Sequence, residues 1–452
     1  MASVTSINPY TGSKITDYKL HTKKEVSDLL EKAKQRFESW KSVPYTKKKK
    51  LMQAAAAELT KNKKEYAETM VAEMGKPIQQ AMAEIEKCAW VCEYYADTAE
   101  KHLANEIIDT DASKSYVAYE PMGVVLAVMP WNYPYWQVFR FAAPALMAGN
   151  IGVLKHASNV FGCALNIQKI FERAGFPEHC FTTLLASSDA IAPVLENPIV
   201  KAVTLTGSGP AGAAVAEKAG SQIKKSVLEL GGNNALIVME DCDIEATVAT
   251  CVQARFQNTG QSCIAGKRLL VAASIAEEFI EQLVVAVREL KSGDPAEEDT
   301  FIGTLARTDL AEDLEQQVNN SIAAGATLLL GGKRQGAYYE PTLVKDVTPK
   351  MAMFAEETFG PALSITTFKN IEEAITLSNT SKFGLGVSLF TEDVEAAEKF
   401  VSQFEEGAVF INELVKSDPR LPFGGVKESG YGRELSAHGI REFCNRKTVY
   451  IK

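Results

Sequence analysis

Three stretches of the chain combine residue types that ordinary packing does not explain. Phe256-Gln257-Asn258-Thr259-Gly260-Gln261-Ser262-Cys263-Ile264-Ala265-Gly266 sets one thiol among amides, a hydroxyl and two glycines. A free cysteine is usually a small, inert core residue. This polar segment supplies no apolar shell for one. A helical run from Thr247 to Phe256 leads in and a strand from Lys267 to Val271 leads out, so Cys263 is expected at a bend, presented as a nucleophile. In Val227-Leu228-Glu229-Leu230-Gly231-Gly232-Asn233-Asn234 a single carboxylate sits inside an apolar, strand-like run that stops at a double glycine. Glutamate is rarely buried unless paired or working, and desolvation would raise the pKa of Glu229 and suit it to general-base work. Met129-Pro130-Trp131-Asn132-Tyr133-Pro134 follows the buried-strand pattern Val124 to Val128 and leaves one amide, Asn132, at the strand's end.

The elements that must position these groups follow from periodicity. From Tyr116 onward, segments rich in Val, Ile and Leu (124–129, 151–155, 181–185, 202–206) alternate with helical patterns (136–148, 160–174, 188–196, 210–219). That alternation predicts a doubly wound parallel sheet, on which ligands bind beyond the carboxyl ends of the strands. Asn132, Lys155 and Gly207 fall at such ends. A second alternating region spans about 235–425, with strands near 268–271, 362–368, 386–390 and 407–412. Before both lies a helical flank, opened by the capping-box pattern Thr22-Lys23-Lys24-Glu25 and including a helix stopped by Gly75 and Pro77. Residues near 109–122 and 447–452 read as strands without an obvious local partner.

At 452 residues, 46% hydrophobic and 23% charged, the composition is that of a soluble globular chain of two or three domains. A net charge of −9 argues against nucleic acid as a partner. The basic run Lys47 to Lys50 reads as the solvated face of a helix. No leader pattern and no membrane-length apolar run is present, so a cytoplasmic location is expected. Eight scattered cysteines form no disulfide framework, and Cys88 with Cys92 reads as core packing rather than a metal site, so no metal is expected.

Gly207-Ser208-Gly209-Pro210-Ala211-Gly212 is a G-x-G-x-x-G between a strand and a helix. On the motif alone it is a dinucleotide fingerprint, and Glu229, about twenty residues on, would be the ribose-binding acid. That leaves two roles for Glu229, ribose ligand or general base.

Pro130-Trp131-Asn132, Leu228-Glu229-Leu230-Gly231-Gly232, Gly260-Gln261-Ser262-Cys263, Glu357-Thr358-Phe359-Gly360-Pro361 and Pro422-Phe423-Gly424-Gly425 stand in the order found in NAD(P)-dependent aldehyde dehydrogenases. Over nearly its whole length the chain resembles that superfamily. The resemblance implies an α/β fold: a Rossmann-like doubly wound dinucleotide-binding domain (1–108 and 123–232), a second α/β catalytic domain (233–425) and a small β oligomerisation arm (109–122 and 426–452). In the family the arm pairs with a neighbouring subunit, which implies a homodimer or homotetramer. It also implies oxidation of an aldehyde to a carboxylic acid. Cys263 would attack the carbonyl carbon, the Asn132 amide and the Cys263 N–H would hold the oxyanion, and Glu229 would activate the water that hydrolyses the thioester. Trp131, Lys155, Ser158, Gly207, Ser208, Glu357 and Phe359 fall to the cofactor. Gly207 and Ser208 lie by the pyrophosphate at a helix N-terminus, Glu357 on the nicotinamide ribose and Phe359 beside the nicotinamide. NAD-specific members carry a Glu where this chain has Ser158. A carboxylate there would repel a 2′-phosphate that Ser158 and Lys155 could receive, so NADP is the expected cofactor, with NAD as the alternative.

Arg140, eight residues beyond Asn132, reads either as a surface charge or as a group lining the aldehyde entrance. The same position carries Arg in the succinate-semialdehyde dehydrogenases, which the chain resembles within the superfamily, and Ser417 matches a second carboxylate contact there. Succinate semialdehyde is therefore the expected substrate, with another small aliphatic aldehyde as the alternative. A non-redox thiol hydrolase would leave Lys155, Ser208 and Glu357 without a use. A CoA-acylating relative would commonly lack Glu229. Ser262 before the thiol and Ile264-Ala265 after it leave no neighbouring cysteine for a disulfide switch.

Overall fold

The computed structural model describes residues 2–452. Two sheets dominate it. The first runs in the spatial order Gly430–Tyr431, Lys225–Glu229, Val200–Thr206, Val124–Met129, Ile151–His156, Phe181–Thr183, all parallel except its two-residue edge strand. Its inner strands are almost continuously buried because helices cover both faces. The helix Trp136–Ala148 is buried along its whole length, and the helix Gly209–Ser221 follows the strand Val200–Thr206 directly. The second sheet has the order Thr327–Leu330, Thr342–Lys345, Ala362–Phe368, Gly266–Ala272, Asn234–Val238, Val387–Phe390, Val409–Ile411, parallel but for the first strand.

The chain leaves the first sheet at Glu229 and enters the second at Asn234, which pairs with Gly266. The carboxyl edge of one sheet therefore meets the amino edge of the other. Asn132, Lys155 and Gly207 lie at or just past the carboxyl ends of their strands, whereas Cys263 lies before the amino end of its strand, Gly266–Ala272.

The predicted helical flank is present. Thr22 and Glu25 form a reciprocal capping box on Lys23–Trp40, and Gly75, at φ 73°, ends Lys63–Met74. An N-terminal hairpin, Ser3–Ile7 with Lys14–Lys19, has no counterpart in the sequence reading. Lys48 departs from its expected solvated face. It is buried beside the Tyr45 and Trp40 rings, 5.4 and 5.6 Å from their centroids, and burial pushes its ammonium down to about 8.

The two strands expected to lack a local partner are each other's partners. Lys114–Pro121 pairs antiparallel with Cys444–Ile451 in a small sheet that Glu106–Ile107 completes. The segment 426–452, expected wholly in the arm, divides. Val426–Lys427 pairs with Phe383–Gly384, Gly430–Tyr431 joins the first sheet beside Glu229, and the arm's own strand starts at Cys444. Among the described residues no helix is long and apolar enough to cross a membrane, and no cluster of His, Cys, Asp and Glu could hold a metal ion.

Candidate active site

The thiol loop is built from strained backbone held by side chains. Asn258, Thr259 and Gly260 run consecutively in the left-handed region, at φ 57°, 54° and 72°. For a β-branched residue such as Thr259 that conformation costs on the order of 1–3 kcal/mol and persists only where surroundings enforce it. Thr259 Oγ1 accepts from the Gly303 N–H at 3.0 Å, Gln261 Oε1 from the Ala306 N–H at 2.9 Å, and Asn258 Nδ2 donates to the Asn132 and Gln261 carbonyls at 2.8 and 3.0 Å. Gly260 is required by contact as well as by φ, since a Cβ there would meet the Gly360 carbonyl. The loop thus docks on the Glu357–Pro361 motif. Arg255, fully buried, ties the two together by donating to the carbonyls of Thr358 (3.0 Å), Gly360 and Ala362 (2.7 Å).

The double glycine brings the end of the Glu229 strand against this loop. A Cβ on Gly232 would lie 2.5 Å from the Cys263 carbonyl, and one on Gly231 would strike Glu357 Oε2. Glu357 Oε1 accepts from the Gly232 N–H at 3.0 Å and faces Lys267 Nζ at 3.2 Å. Lys267, fully buried, also donates to the carbonyls of Ser262 and Cys263, both at 2.8 Å.

Cys263 is part-buried. Burial pushes its thiol up to about 11, against the opposing pull of Lys267 and then Arg140. Among the described residues its backbone N–H has no acceptor. Asn132 is buried, receives Gln137 Nε2 on Oδ1 at 3.1 Å and spends one Nδ2 hydrogen on the Gln261 carbonyl at 3.1 Å. The other Nδ2 hydrogen is free.

Two clefts meet at this thiol. Cys263, Gln137 and no other residue line both. One cleft contains Trp131, Gly207, Ser208, Glu357 and Phe359 of the expected cofactor set, together with Asn132 and Arg307. Trp131 and Phe359 meet edge to face at 5.8 Å, and Ser208 occupies the N-cap position of the helix Gly209–Ser221 without a side-chain capping bond. Lys155 and Ser158 are outside that lining. They lie on and just past the end of the strand Ile151–His156, where burial lowers the Lys155 ammonium.

The second cleft holds Trp136, Arg140 and Ser417, and with them Lys87, which the sequence reading passed over. Of the two readings of Arg140, the surface charge is excluded, and the residue lines this cleft. It is buried, its Nε pairs with the equally buried Glu434, its Nη2 reaches Thr206 Oγ1 at 3.4 Å, and its guanidinium stacks 4.6 Å from the Phe423 centroid. Glu434 comes from the segment expected to belong to the arm, which is why the pairing was not foreseen. Ser417 Oγ accepts from Lys87 Nζ at 2.9 Å and from Trp136 Nε1 at 3.0 Å.

Glu229 ends its strand buried at 2% exposure, and neither carboxylate oxygen has a hydrogen-bond partner. It lines neither cleft, facing instead the Arg140–Glu434 pair. Burial, reinforced by the Glu434 charge, pushes its pKa well above the usual carboxylate range, while Arg140 and Arg433 pull the other way.

A sequence profile described as Aldehyde dehydrogenase family matches residues 2–449. Among curated proteins, a probable succinate-semialdehyde dehydrogenase [NADP(+)] of Synechocystis is 50% identical, over 99% of this chain and 100% of its own length. A succinate-semialdehyde dehydrogenase [NADP(+)] of Mycobacterium leprae is 48% identical over the same shares. Among solved structures, the succinic semialdehyde dehydrogenase of Streptococcus pyogenes in complex with NADP+ superposes with a TM-score of 0.97 at 35% identity, covering 99% of each chain.

Proposed function

Since the chain belongs to the aldehyde dehydrogenase family, we propose that it oxidises succinate semialdehyde to succinate with NADP as the electron acceptor. One observation carries the reading: a single cysteine thiol stands where two clefts meet, one glycine-rich and aromatic, the other cationic. A non-redox thiol hydrolase would have no use for the first of them. The names and cofactor of the relatives support the same substrate and NADP.

The cofactor cleft fits a dinucleotide. Ser208 stands at the N-terminus of a 13-residue helix whose first-turn N–H groups favour an anion, and Gly207 leaves the approach open, with Leu205 alone near an added Cβ. Gly207 and Ser208 would hold the pyrophosphate, Glu357 the nicotinamide ribose, Trp131 and Phe359 the nicotinamide side, and Lys155 with Ser158 the adenosine ribose and its 2′-phosphate. NADP, when bound, supplies the hydride acceptor.

The chain's own groups do the rest. The Cys263 thiol passes its proton to solvent water, its sulfur bonds to the aldehyde carbon, and the C=O π pair moves onto the oxygen. The carbonyl oxygen, now negative, takes the free Asn132 Nδ2 hydrogen and the unpaired Cys263 N–H, donors that need no rearrangement. Once the sulfur carries an acyl group, Glu229, whose oxygens are committed to no partner, turns toward it and takes a proton from water. The water oxygen bonds to the acyl carbon, the C–S bond breaks, and succinate leaves with the thiolate restored.

The reading extends to assembly and location. The sheet of Lys114–Pro121 and Cys444–Ile451 exposes Ile107, Tyr450 and Ile451, which suits pairing with a second copy as a homodimer or homotetramer. Eight free thiols suit the reducing cytoplasm. Initial rates over a panel of short aldehydes with NADP and NAD test the function: kcat/KM is expected to be highest for succinate semialdehyde with NADP. Equal use of an uncharged aldehyde of similar length would contradict it.

A further inference from the structure

The substrate cleft contains a cation that forms no ion pair with any of the described residues. Arg140 is matched by Glu434, and Lys416 by Glu413. Lys87, on the helix Ile78–His102, has no such partner among the described residues. The acids nearest to it are engaged elsewhere. Glu84, one turn earlier, pairs with the buried Lys76 and accepts the N–H groups of Tyr135 and Trp136 at 2.9 Å, while Asp418 pairs with Arg420. Lys87 is nevertheless fixed in place. Its ammonium lies 4.5 Å from the Trp136 ring centroid and donates to Ser417 Oγ at 2.9 Å. Because Ser417 Oγ already accepts two hydrogen bonds, its own O–H is left to donate.

Building on the proposed function, we propose that Lys87 is the residue that selects an aldehyde carrying a distal carboxylate, receiving that carboxylate together with the Ser417 hydroxyl and Arg140. An unmatched, mostly desolvated ammonium gains most from an incoming anion, whereas Arg140 already has its counter-ion. The surroundings of Lys87 agree. Burial and then Arg140 push its ammonium down to about 8, against the smaller opposing influence of Cys88, Asp418 and Glu84. In the free enzyme the cation is therefore lost as pH rises through about 8, and selectivity should be lost with it.

The test uses Lys87→Met and Lys87→Arg in the full-length protein, comparing succinate semialdehyde with pentanal and measuring succinate binding by calorimetry. Lys87→Met is expected to raise the KM for succinate semialdehyde roughly ten- to hundredfold, the range for a lost hydrogen bond to a charged group. The rise for pentanal should be far smaller, kcat should stay close to native, and succinate should bind correspondingly more weakly. In the native enzyme the kcat/KM ratio of the two aldehydes is expected to fall above about pH 8. Lys87→Arg, which keeps its charge, should retain the preference without that fall. That profile decides the matter even where the Met variant does not fold. Undiminished preference in Lys87→Met, equal damage to both aldehydes, or a pH-dependent ratio that survives Lys87→Arg would overturn the assignment to Lys87 while leaving the substrate standing. A native enzyme that uses pentanal as well as succinate semialdehyde would overturn both.

Discussion

Replacing Glu229 by Gln separates the two halves of the reaction, and its outcome can be worked out from the site. The side chain is 2% exposed, hydrogen-bonds to nothing and faces a second carboxylate, Glu434. The amide has the same shape and carries no charge, so acylation of Cys263 and the first reduction of cofactor should proceed. A positioned general base contributes about 10²–10⁴-fold, and hydrolysis of the acyl-enzyme should slow by about that factor. Stopped-flow absorbance should then show a burst of about one NADPH per subunit followed by a slow steady rate. Stability supplies an independent check. A carboxyl whose pKa is raised in the folded state binds an extra proton there, so the native protein loses stability as pH rises through that pKa. Glu229→Gln removes that loss, and its urea midpoint near neutral pH should equal or exceed the native one. A native steady-state rate without a burst would refute the base assignment. Weakened NADP binding with unchanged chemistry would restore the reading of Glu229 as the ribose acid.

Two further substitutions probe the flanking groups. Ser158→Glu should weaken NADP relative to NAD by about tenfold or more, since like charges brought together cost several kcal/mol; equal loss of both cofactors in a binding titration would place Ser158 away from the ribose. Arg140→Met strands the buried Glu434 and should lower unfolding stability by roughly 3–5 kcal/mol near neutral pH. The deficit should shrink in acid, where Glu434 takes up a proton, and should largely disappear on adding Glu434→Gln. A loss under about 1 kcal/mol, or no recovery in the double variant, would show that the pair is not the buried ion pair described.

The sequence made the chemistry more legible than its setting. Cys263, Glu229 and Asn132 stand out because each breaks a local pattern: a thiol in a polar turn, an acid in an apolar strand, an amide after a buried one. Parallel strands buried on both faces are near-continuous apolar runs, so most of both sheets could be read directly. The partners of Arg140 could not, because Glu434 is 294 residues away in a segment that looked like part of the arm. Lys267 and Arg255 hold the thiol loop by donating to backbone carbonyls, and side chains that bond to backbone leave no paired signal in sequence. Lys87 was findable. It stands three residues after Glu84 and four before Val91 on the buried stripe of its helix, where a lysine has no packing reason to be.

The central claim is that one thiol joins the two clefts by carrying the acyl group. It is tested most directly by quenching Glu229→Gln with NADP and succinate semialdehyde during the burst and mapping the peptides by mass spectrometry. A single succinyl group on the peptide containing Cys263, absent when Cys263→Ala is added although NADP still binds, is the predicted result. An unmodified Cys263 peptide, or the acyl group on any of the other seven cysteines, would contradict it.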